Sequence, residues 1–209
     1  DIGKFIVLSG FSGSGKGTVV NRLINDYDDY VISISATTRK PREGEKEGVS
    51  YFFKTRDEFK QMIDNDELIE YATFVGNSYG TPKEFVEFKM NQGFNVILEI
   101  EVIGALKVKE KYPEAEMIFI MPPSAKELYN RLKNRGTEEE EVIRKRLDRA
   151  AYETDYVKSY DHIIINDDLD ECVLNINDII HGRSYDNNIS NNEIVAKFKN
   201  ELEYMLKGE

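Results

Sequence analysis

A glycine-rich loop near the amino terminus constrains this chain more than any other feature of its sequence. An apolar run of strand length at residues 4–9 leads into the loop at residues 10–18, and a helical pattern runs from Thr18 to about Asp26. The loop matches the pattern G-x-x-x-x-G-K, although Gly17 stands where that motif has Ser or Thr after its lysine, here Lys16. Because glycines let successive backbone N–H groups converge on one point and the helix N-terminus is positive, this unit predicts a phosphate site.

The phosphate site is expected to hold a nucleotide, with Lys16 reaching its terminal phosphates as a point charge. The loop residues assigned to this binding are Gly10, Ser12, Gly13, Ser14, Gly15, Lys16, Gly17 and Thr18. No hydroxyl follows Lys16 directly, so Thr18, or a contact through water, would have to serve a magnesium ion. The alternative is an ordinary Gly/Ser turn, which three glycines and a lysine between a strand and a helix disfavour.

Strand and helix patterns alternate along most of the chain, which predicts an α/β fold with a mainly parallel sheet flanked by helices. Residues 35–90 interrupt this alternation with strand–helix–strand pieces of their own and therefore predict an insertion. The predicted division is a core domain at residues 1–34 and 91–181 with a lid at about 126–149, the insertion at 35–90, and a C-terminal hinge and helix at 182–209.

The charge balance narrows the class of ligand. A net charge of −11 argues against binding nucleic acid or an anionic membrane by bulk charge, and no apolar run approaches the ~20 residues of a membrane span. Thirteen acidic and five basic side chains give residues 150–209 a charge of −8, whereas seven of the ten arginines lie in two short stretches. Such clusters favour a small, strongly anionic ligand. They contain Arg39 and Arg42, and then Arg131, Arg135, Arg144, Arg146 and Arg149.

Three further expectations concern disulfides, location and oligomeric state. A single cysteine, Cys172, excludes an intramolecular disulfide, and no signal peptide is visible, so a cytoplasmic protein is expected. The final amphipathic helix could pack on its own chain or on a second copy, which leaves a homo-oligomer open.

A second series of motifs narrows the function. The run T-T-R-x-P-R-x-G-E at residues 37–45 is followed by Y-F-F at 51–53, I-E-Y at 69–71 and G-N-x-Y-G-T at 76–81. With these segments in this order after the phosphate loop, the chain resembles the guanylate kinase family, enzymes that transfer a phosphoryl group from ATP to GMP. The resemblance covers about residues 4–181 and implies a P-loop fold with an inserted GMP-binding subdomain and a helical lid.

The resemblance implies a GMP site within the insertion. Guanidinium forks and phenol hydroxyls there would bind the phosphate, and Glu70 would accept the N1–H and 2-amino hydrogens of guanine, where adenine presents an acceptor at N1. The simpler alternatives are a solvated strand residue for Glu70 and a helix cap for Thr81. The GMP-binding residues implied are Ser35, Arg39, Arg42, Tyr51, Glu70, Tyr79, Gly80, Thr81 and Glu99.

The resemblance also implies a donor side and a metal. Arg135 and Arg146 in the lid would contact ATP phosphates, and Asn166 would lie on the ATP side, while Lys16, Arg39, Arg135 and Arg146 would be the catalytic residues. Magnesium would be held by Thr18 and Glu101, directly or through water, although which of Glu99 and Glu101 serves it stays open. One departure from the family pattern is Phe11, where proline is common.

The reaction implied is ATP + GMP ⇌ ADP + GDP. The acceptor is already an anionic phosphate with a second pKa near ~6, so no general base is required. Rate enhancement would come from aligning two anions and neutralising their charge. Two alternatives stay open: a monophosphate kinase for another base, and a non-catalytic guanylate-kinase-like module that binds phosphorylated peptides, which would be expected to lack Lys16 or the loop glycines.

Overall fold

The computed structural model describes residues 1–136, 139–183, 185 and 190–208. Its strands are β1 (Phe5–Gly10), β2 (Tyr30–Ile32), β3 (Ala36–Thr37), β4 (Phe52–Phe53), β5 (Leu68–Phe74), β6 (Asn77–Pro82), β7 (Asn95–Glu99), β8 (Glu116–Met121) and β9 (His162–Ile165). Its helices are α1 (Lys16–Asp26), α2 (Arg56–Asp64), α3 (Lys83–Asn91), α4 (Val102–Lys111), α5 (Ala125–Asn134), α6 (Glu140–Val157), α7 (Leu169–Ile180) and α8 (Asn191–Lys207).

The chain forms two compact units, which are described separately. The first contains residues 1–7 and 27–115, and the second contains residues 8–26 and 116–209. Parallel strands flanked by helices confirm the predicted α/β class. The residue patterns predict helices at Lys83–Asn91, Val102–Lys111, Ala125–Asn134 and Leu169–Ile180, and the structure has them with these bounds as α3, α4, α5 and α7. The division into core, insertion, lid and C-terminal segment stays a prediction. Lid residues 137–138 and hinge residues 186–189 lie outside the described residues.

In the first unit, the sheet order is β2-β7-β1, with β2 parallel to β7, and a buried polar side chain as well as apolar packing holds the strands. Asn95 begins β7, and its side chain accepts the Lys4 N–H at 2.9 Å and donates to Asp29 at 2.9 Å. The next three residues of β7 are buried, as expected of a strand with neighbours on both sides.

A second sheet in the same unit carries the predicted base-binding motifs. Its order is β4-β3-β6-β5, with β3 antiparallel to β6 and β5 antiparallel to β6. The hairpin turns at Val75 and Gly76, whose φ angles are +48° and +76°. The residue pattern predicts a strand at residues 69–75 and a turn at residues 76–77, which agree with β5 and the hairpin turn. It does not predict β6, since glycine and proline within residues 77–82 are poor strand formers. Antiparallel pairing on both edges overrides that preference.

In the second unit, the sheet order is β1-β8-β9, and β8 and β9 run parallel with Ile118 opposite His162. Helix α1 packs on α7, and α8 packs on α5 and α6, so the final helix contacts its own chain. Among the described residues, no helix is both long and apolar enough to cross a membrane.

Candidate nucleotide-binding sites

The glycine-rich loop of the second unit begins where β1 ends and finishes at Lys16, the first residue of α1. The helix therefore starts two residues earlier than the sequence pattern indicated. The Ser14 N–H donates to the Phe11 carbonyl at 2.9 Å, and Gly13 and Gly15 have φ angles of +88° and +86°. These are left-handed conformations, which glycine adopts without strain. The loop thus has the tight turns and the helix N-terminus that a phosphate site requires.

Residues far along the chain hold this loop from outside. The Asn166 amide donates to the Ser14 carbonyl at 3.0 Å, and a side chain at Gly15 would come within 2.7 Å of that amide nitrogen. Arg146 donates to the Ser12 hydroxyl at 2.7 Å. Two residues that the sequence assigned to the donor side, Asn166 and Arg146, therefore contact the loop.

An arginine that the predicted site omitted is also in contact with the loop. Arg131 Nη2 donates to the Asn166 carbonyl at 2.9 Å, and its Nη1 donates to the Ser14 carbonyl at 3.4 Å, while Nε pairs with Glu127. Arg131 lies one helical turn before Arg135, and this spacing was the available signal. Arg135 itself is exposed at the C-terminal end of α5.

Among the described residues, two predicted catalytic cations have unpaired side chains. Lys16 is half-buried, and within the described part of the chain its side chain has no hydrogen bond or ion pair; the same is true of the side chain of Arg135. Gly17 and Thr18 are exposed on the first turn of α1, whereas the hydroxyl of Ser14 is buried without a hydrogen-bond partner. Lys16 is therefore available to pair with an anionic ligand.

In the first unit, Arg39 is held by a carboxylate. Its two terminal nitrogens donate to the two oxygens of Glu45 at 2.9 and 2.8 Å, and the Arg42 N–H donates to the same carboxylate at 2.7 Å. The Arg39 guanidinium, followed by the Arg42 N–H, lowers the pKa of Glu45 to about 2, and the pairing raises the pKa of Arg39. Glu45 belongs to the recognised motif, yet the predicted site did not include it.

Two tyrosines of the predicted phosphate site lie beside this pair. The Arg39 guanidinium carbon is 5.2 Å from the centre of the Tyr51 ring, and the rings of Tyr51 and Tyr79 meet edge-on at 6.2 Å. The side chain of Arg42 is exposed. The structure thus brings Arg39, Tyr51 and Tyr79 together, and their binding of one phosphate stays a prediction.

The predicted base-binding pair is formed across two neighbouring strands. Thr81 on β6 donates its hydroxyl to Glu70 Oε1 on β5 at 2.9 Å, and burial raises the pKa of Glu70. The cap expected from Thr81 is wrong, because α3 begins after Pro82 without a side-chain cap. A side chain at Gly80 would come within 3.1 Å of the Glu70 carbonyl, so glycine lets the strands approach here.

The remaining predicted residues of the GMP and metal sites are Ser35, Glu99 and Glu101. Ser35 is half-buried, and its carbonyl accepts the Phe52 N–H at 2.9 Å. Glu99 is exposed at the end of β7, and Glu101 caps α4 by accepting the Gly104 N–H at 3.1 Å. Across the described ranges, no group of three or more His, Cys, Asp or Glu side chains could hold a metal ion.

Comparison with known proteins assigns this chain to a family. The guanylate kinase family model matches residues 2–183. A guanylate kinase of Caldanaerobacter subterraneus subsp. tengcongensis is 53% identical over 178 residues, which cover 85% of this chain and 86% of that protein. A guanylate kinase of Bacillus cereus is 49% identical over 201 residues, 96% of each chain. The crystal structure of guanylate kinase from Anaplasma phagocytophilum covers 87% of this chain and 86% of its own, with 37% identity and a TM-score of 0.63.

Proposed function

This chain belongs to the guanylate kinase family, and from that membership we propose which of its residues bind each nucleotide and promote phosphoryl transfer. The function of the chain is that of a guanylate kinase, which is a nucleoside-monophosphate kinase. Family membership implies ATP and GMP as substrates. A non-catalytic module would be expected to lack Lys16 or the loop glycines, and both are present in a loop of the required shape.

The acceptor site lies in the first unit, and the observation that carries its assignment is the hydrogen bond from Thr81 to Glu70. The hydroxyl holds one oxygen of the carboxylate, which fixes the direction in which Glu70 accepts hydrogen bonds. Guanine offers N1–H and 2-amino donors side by side to such a group. Adenine would place the N1 lone pair against a half-buried carboxylate, at a cost of ~1–3 kcal/mol or more.

The phosphate of GMP is assigned to the arginine and tyrosine cluster of the same unit. The planar guanidinium of Arg39 suits a phosphate, and the hydroxyls of Tyr51 and Tyr79 add neutral donors. Glu45 holds the two terminal nitrogens end-on, which leaves the edge formed by Nε and the second N–H of Nη2 for the phosphate. Because Glu45 fixes the guanidinium, Arg39 loses little conformational entropy when the ligand binds. Arg42 adds a second positive charge at the rim, and Ser35, Gly80 and Glu99 complete the proposed site.

The donor site is assigned to the glycine-rich loop of the second unit. Backbone N–H groups of the loop and the N-terminus of α1 would bind the ATP phosphates. Lys16 would offset the negative charge on the β- and γ-phosphate oxygens beside the P–O bond that breaks. Arg146 and Arg131 bring two further positive charges to the loop, and Asn166 supports its backbone. Arg135 is the remaining proposed lid cation.

Catalysis requires charge neutralisation and alignment rather than proton abstraction. The acceptor oxygen of GMP is already anionic near neutral pH, so the residues of the chain have to hold two anions in line and offset their repulsion. The hydroxyl of Thr18 and the carboxylate of Glu101 are oxygen ligands of the kind that Mg²⁺ takes, and we propose them as its ligands. When bound, Mg²⁺ would neutralise phosphate oxygens. A cytoplasmic location, with no nucleic-acid or membrane partner and with homo-oligomerisation left open, completes the proposal.

A coupled assay that follows ADP release tests the base specificity. The wild-type protein should turn over GMP far faster than AMP or dTMP, and Glu70→Gln should lower kcat/KM for GMP by about a hundredfold. Glu67→Gln, an exposed glutamate just before the same strand, serves as the matched control and should leave the rate unchanged. Full GMP activity with continued rejection of AMP in Glu70→Gln would contradict the assignment.

A further inference from the structure

Helix α8 contacts the glycine-rich loop directly through an aromatic pair. The ring of Phe198 stacks on Phe11 with 5.0 Å between centroids and 8° between planes, and Phe11 also meets Phe119 edge-on at 4.9 Å. Phe11 and Phe198 are both buried. Because Phe11 sits in the loop between Gly10 and Ser12, the position of its ring is coupled to the backbone that turns around the phosphates.

A second contact connects α8 to the helix that carries Arg131. The Glu201 carboxylate accepts the Ala125 N–H at 2.9 Å at the start of α5, where a negative charge complements the helix dipole. Further along α5, Arg131 donates to the backbone carbonyls of Ser14 and Asn166. Glu201 therefore anchors the helix whose arginine supports the loop.

A third contact connects α8 to the helix that carries Arg146. Lys199 forms an ion pair with Asp155 at 2.6 Å, and Arg144 donates to the Leu206 carbonyl at 3.0 Å. Arg146 follows Arg144 on α6 and donates to the Ser12 hydroxyl. The loop and both helices that supply arginines to it thus meet on one helix, which lies beyond the residues matched by the family model.

We propose that α8 is a positioning element for binding of the nucleoside triphosphate, and that Phe198 is its central positioning residue. Stacking of Phe198 against Phe11 keeps the loop in the conformation whose N–H groups converge on phosphate. Removal of the ring lets Phe11 move into the vacated space and reorients the neighbouring N–H groups. The proposal rests on the assignment of ATP to this loop and goes beyond it, because no residue of α8 belongs to the proposed nucleotide contacts.

Calorimetric titration of the full chain with ATP and with GMP tests the proposal. Phe198→Leu keeps an apolar side chain but removes the stack, and it should raise the dissociation constant for ATP about fivefold. The dissociation constant for GMP should change less than twofold, because the residues proposed for GMP lie in the first unit.

The control separates positioning from loss of stability. Leu202→Ala truncates another buried side chain of α8, one helical turn from Phe198, and should lower the thermal unfolding midpoint at least as much as Phe198→Leu. Its ATP dissociation constant should stay within twofold of wild type. An equal weakening of ATP binding in Leu202→Ala, or no weakening in Phe198→Leu, would overturn the proposal.

A double variant tests the route through the ring pair. Phe11→Leu also removes the stack, so adding Phe198→Leu to it should weaken ATP binding by clearly less than the product of the two single effects. Full additivity would show that Phe198 does not act through Phe11 and would refute the proposed route. Failure of the underlying assignment looks different: Lys16→Met would then bind ATP as tightly as the wild type does, whatever the result at Phe198.

Discussion

The two proposed nucleotide sites hold anions in different ways. In the first unit, side chains do the binding, and each is held by a neighbouring side chain. Glu45 forms an ion pair with Arg39, and the Thr81 hydroxyl donates to Glu70, which is the proposed ligand of the base. In the second unit, the backbone of a tight loop does the binding, and the side chain of Lys16 has no hydrogen bond or ion pair among the described residues. An acceptor that must be identified by its base needs oriented side chains, whereas a triphosphate needs converging N–H groups and positive charge.

The largest expected effect comes from the donor loop. Lys16→Met should lower kcat about a thousandfold, because the variant loses positive charge where negative charge accumulates during phosphoryl transfer. The KM for GMP should remain near its wild-type value. Lys145→Met, on the exposed face of α6, is the control and should keep full activity in the same coupled assay. A large rise in the KM for GMP in Lys16→Met would remove the distinction between the two sites.

The next largest effect comes from the acceptor cluster. Arg39→Met should raise the KM for GMP about a hundredfold, since two charge-assisted hydrogen bonds to phosphate are lost. The dissociation constant for ATP should change less than twofold. Arg56→Met removes another arginine of the first unit, one that donates to the Gly76 carbonyl, and should leave both nucleotides unaffected. Equal weakening of ATP and GMP in Arg39→Met would contradict the assignment of Arg39 to one nucleotide.

A smaller effect on stability follows from the half-buried carboxylate of Glu70. Burial raises the pKa of Glu70, so the folded protein binds this proton more tightly than the unfolded chain, and the stability contributed by Glu70 falls as pH rises through its raised pKa. Glu70→Gln removes this dependence. Its unfolding midpoint relative to wild type should therefore increase from pH 4 to pH 7 in thermal denaturation. A difference that does not change with pH would show that Glu70 carries no burial penalty.

The smallest effect has the opposite sign and belongs to Glu45. Its pKa is lowered to about 2 by Arg39, so the unfolded chain binds this proton more tightly, and stability is lost as pH falls from about 4.5 towards 2. Glu45→Gln should flatten the acid side of the stability profile and leave the profile above pH 6 parallel to wild type. Acid unfolding followed by circular dichroism measures this, and identical acid limbs for the two proteins would contradict it.

The sequence predicted what is determined locally. The glycine-rich loop was recognisable because strand, glycines, lysine and helix are contiguous, and the motif around Arg39 likewise lies on one short segment. The class of fold followed from alternating patterns for the same reason. Even here the start of α1 was placed two residues late, because Lys16 and Gly17 carry no hydrophobic periodicity.

The missed features depend on contacts between distant residues. Arg131 reaches Ser14 from 117 positions away, and no pattern near it distinguishes it from Arg135. Asn166 was assigned to the donor side, but its contact with Ser14, 152 positions away, could not be read from the sequence. The hydroxyl of Thr81 was ambiguous between a helix cap and Glu70 until the pairing of β5 with β6 decided it. Strand register and helix packing fix these contacts, and neither is encoded in a single segment.

The central claim, that an ionised Glu70 oriented by Thr81 recognises guanine, is tested most directly by the 2-amino group of the base. Calorimetric titration compares GMP with IMP, which lacks that group, in the wild type and in Glu70→Gln at pH 7.5. The wild type should bind GMP at least tenfold more tightly than IMP, since one hydrogen bond to a charged group is lost, and Glu70→Gln should show little preference. Equal affinity of the wild type for the two nucleotides, or a GMP preference that survives in Glu70→Gln, would contradict the account.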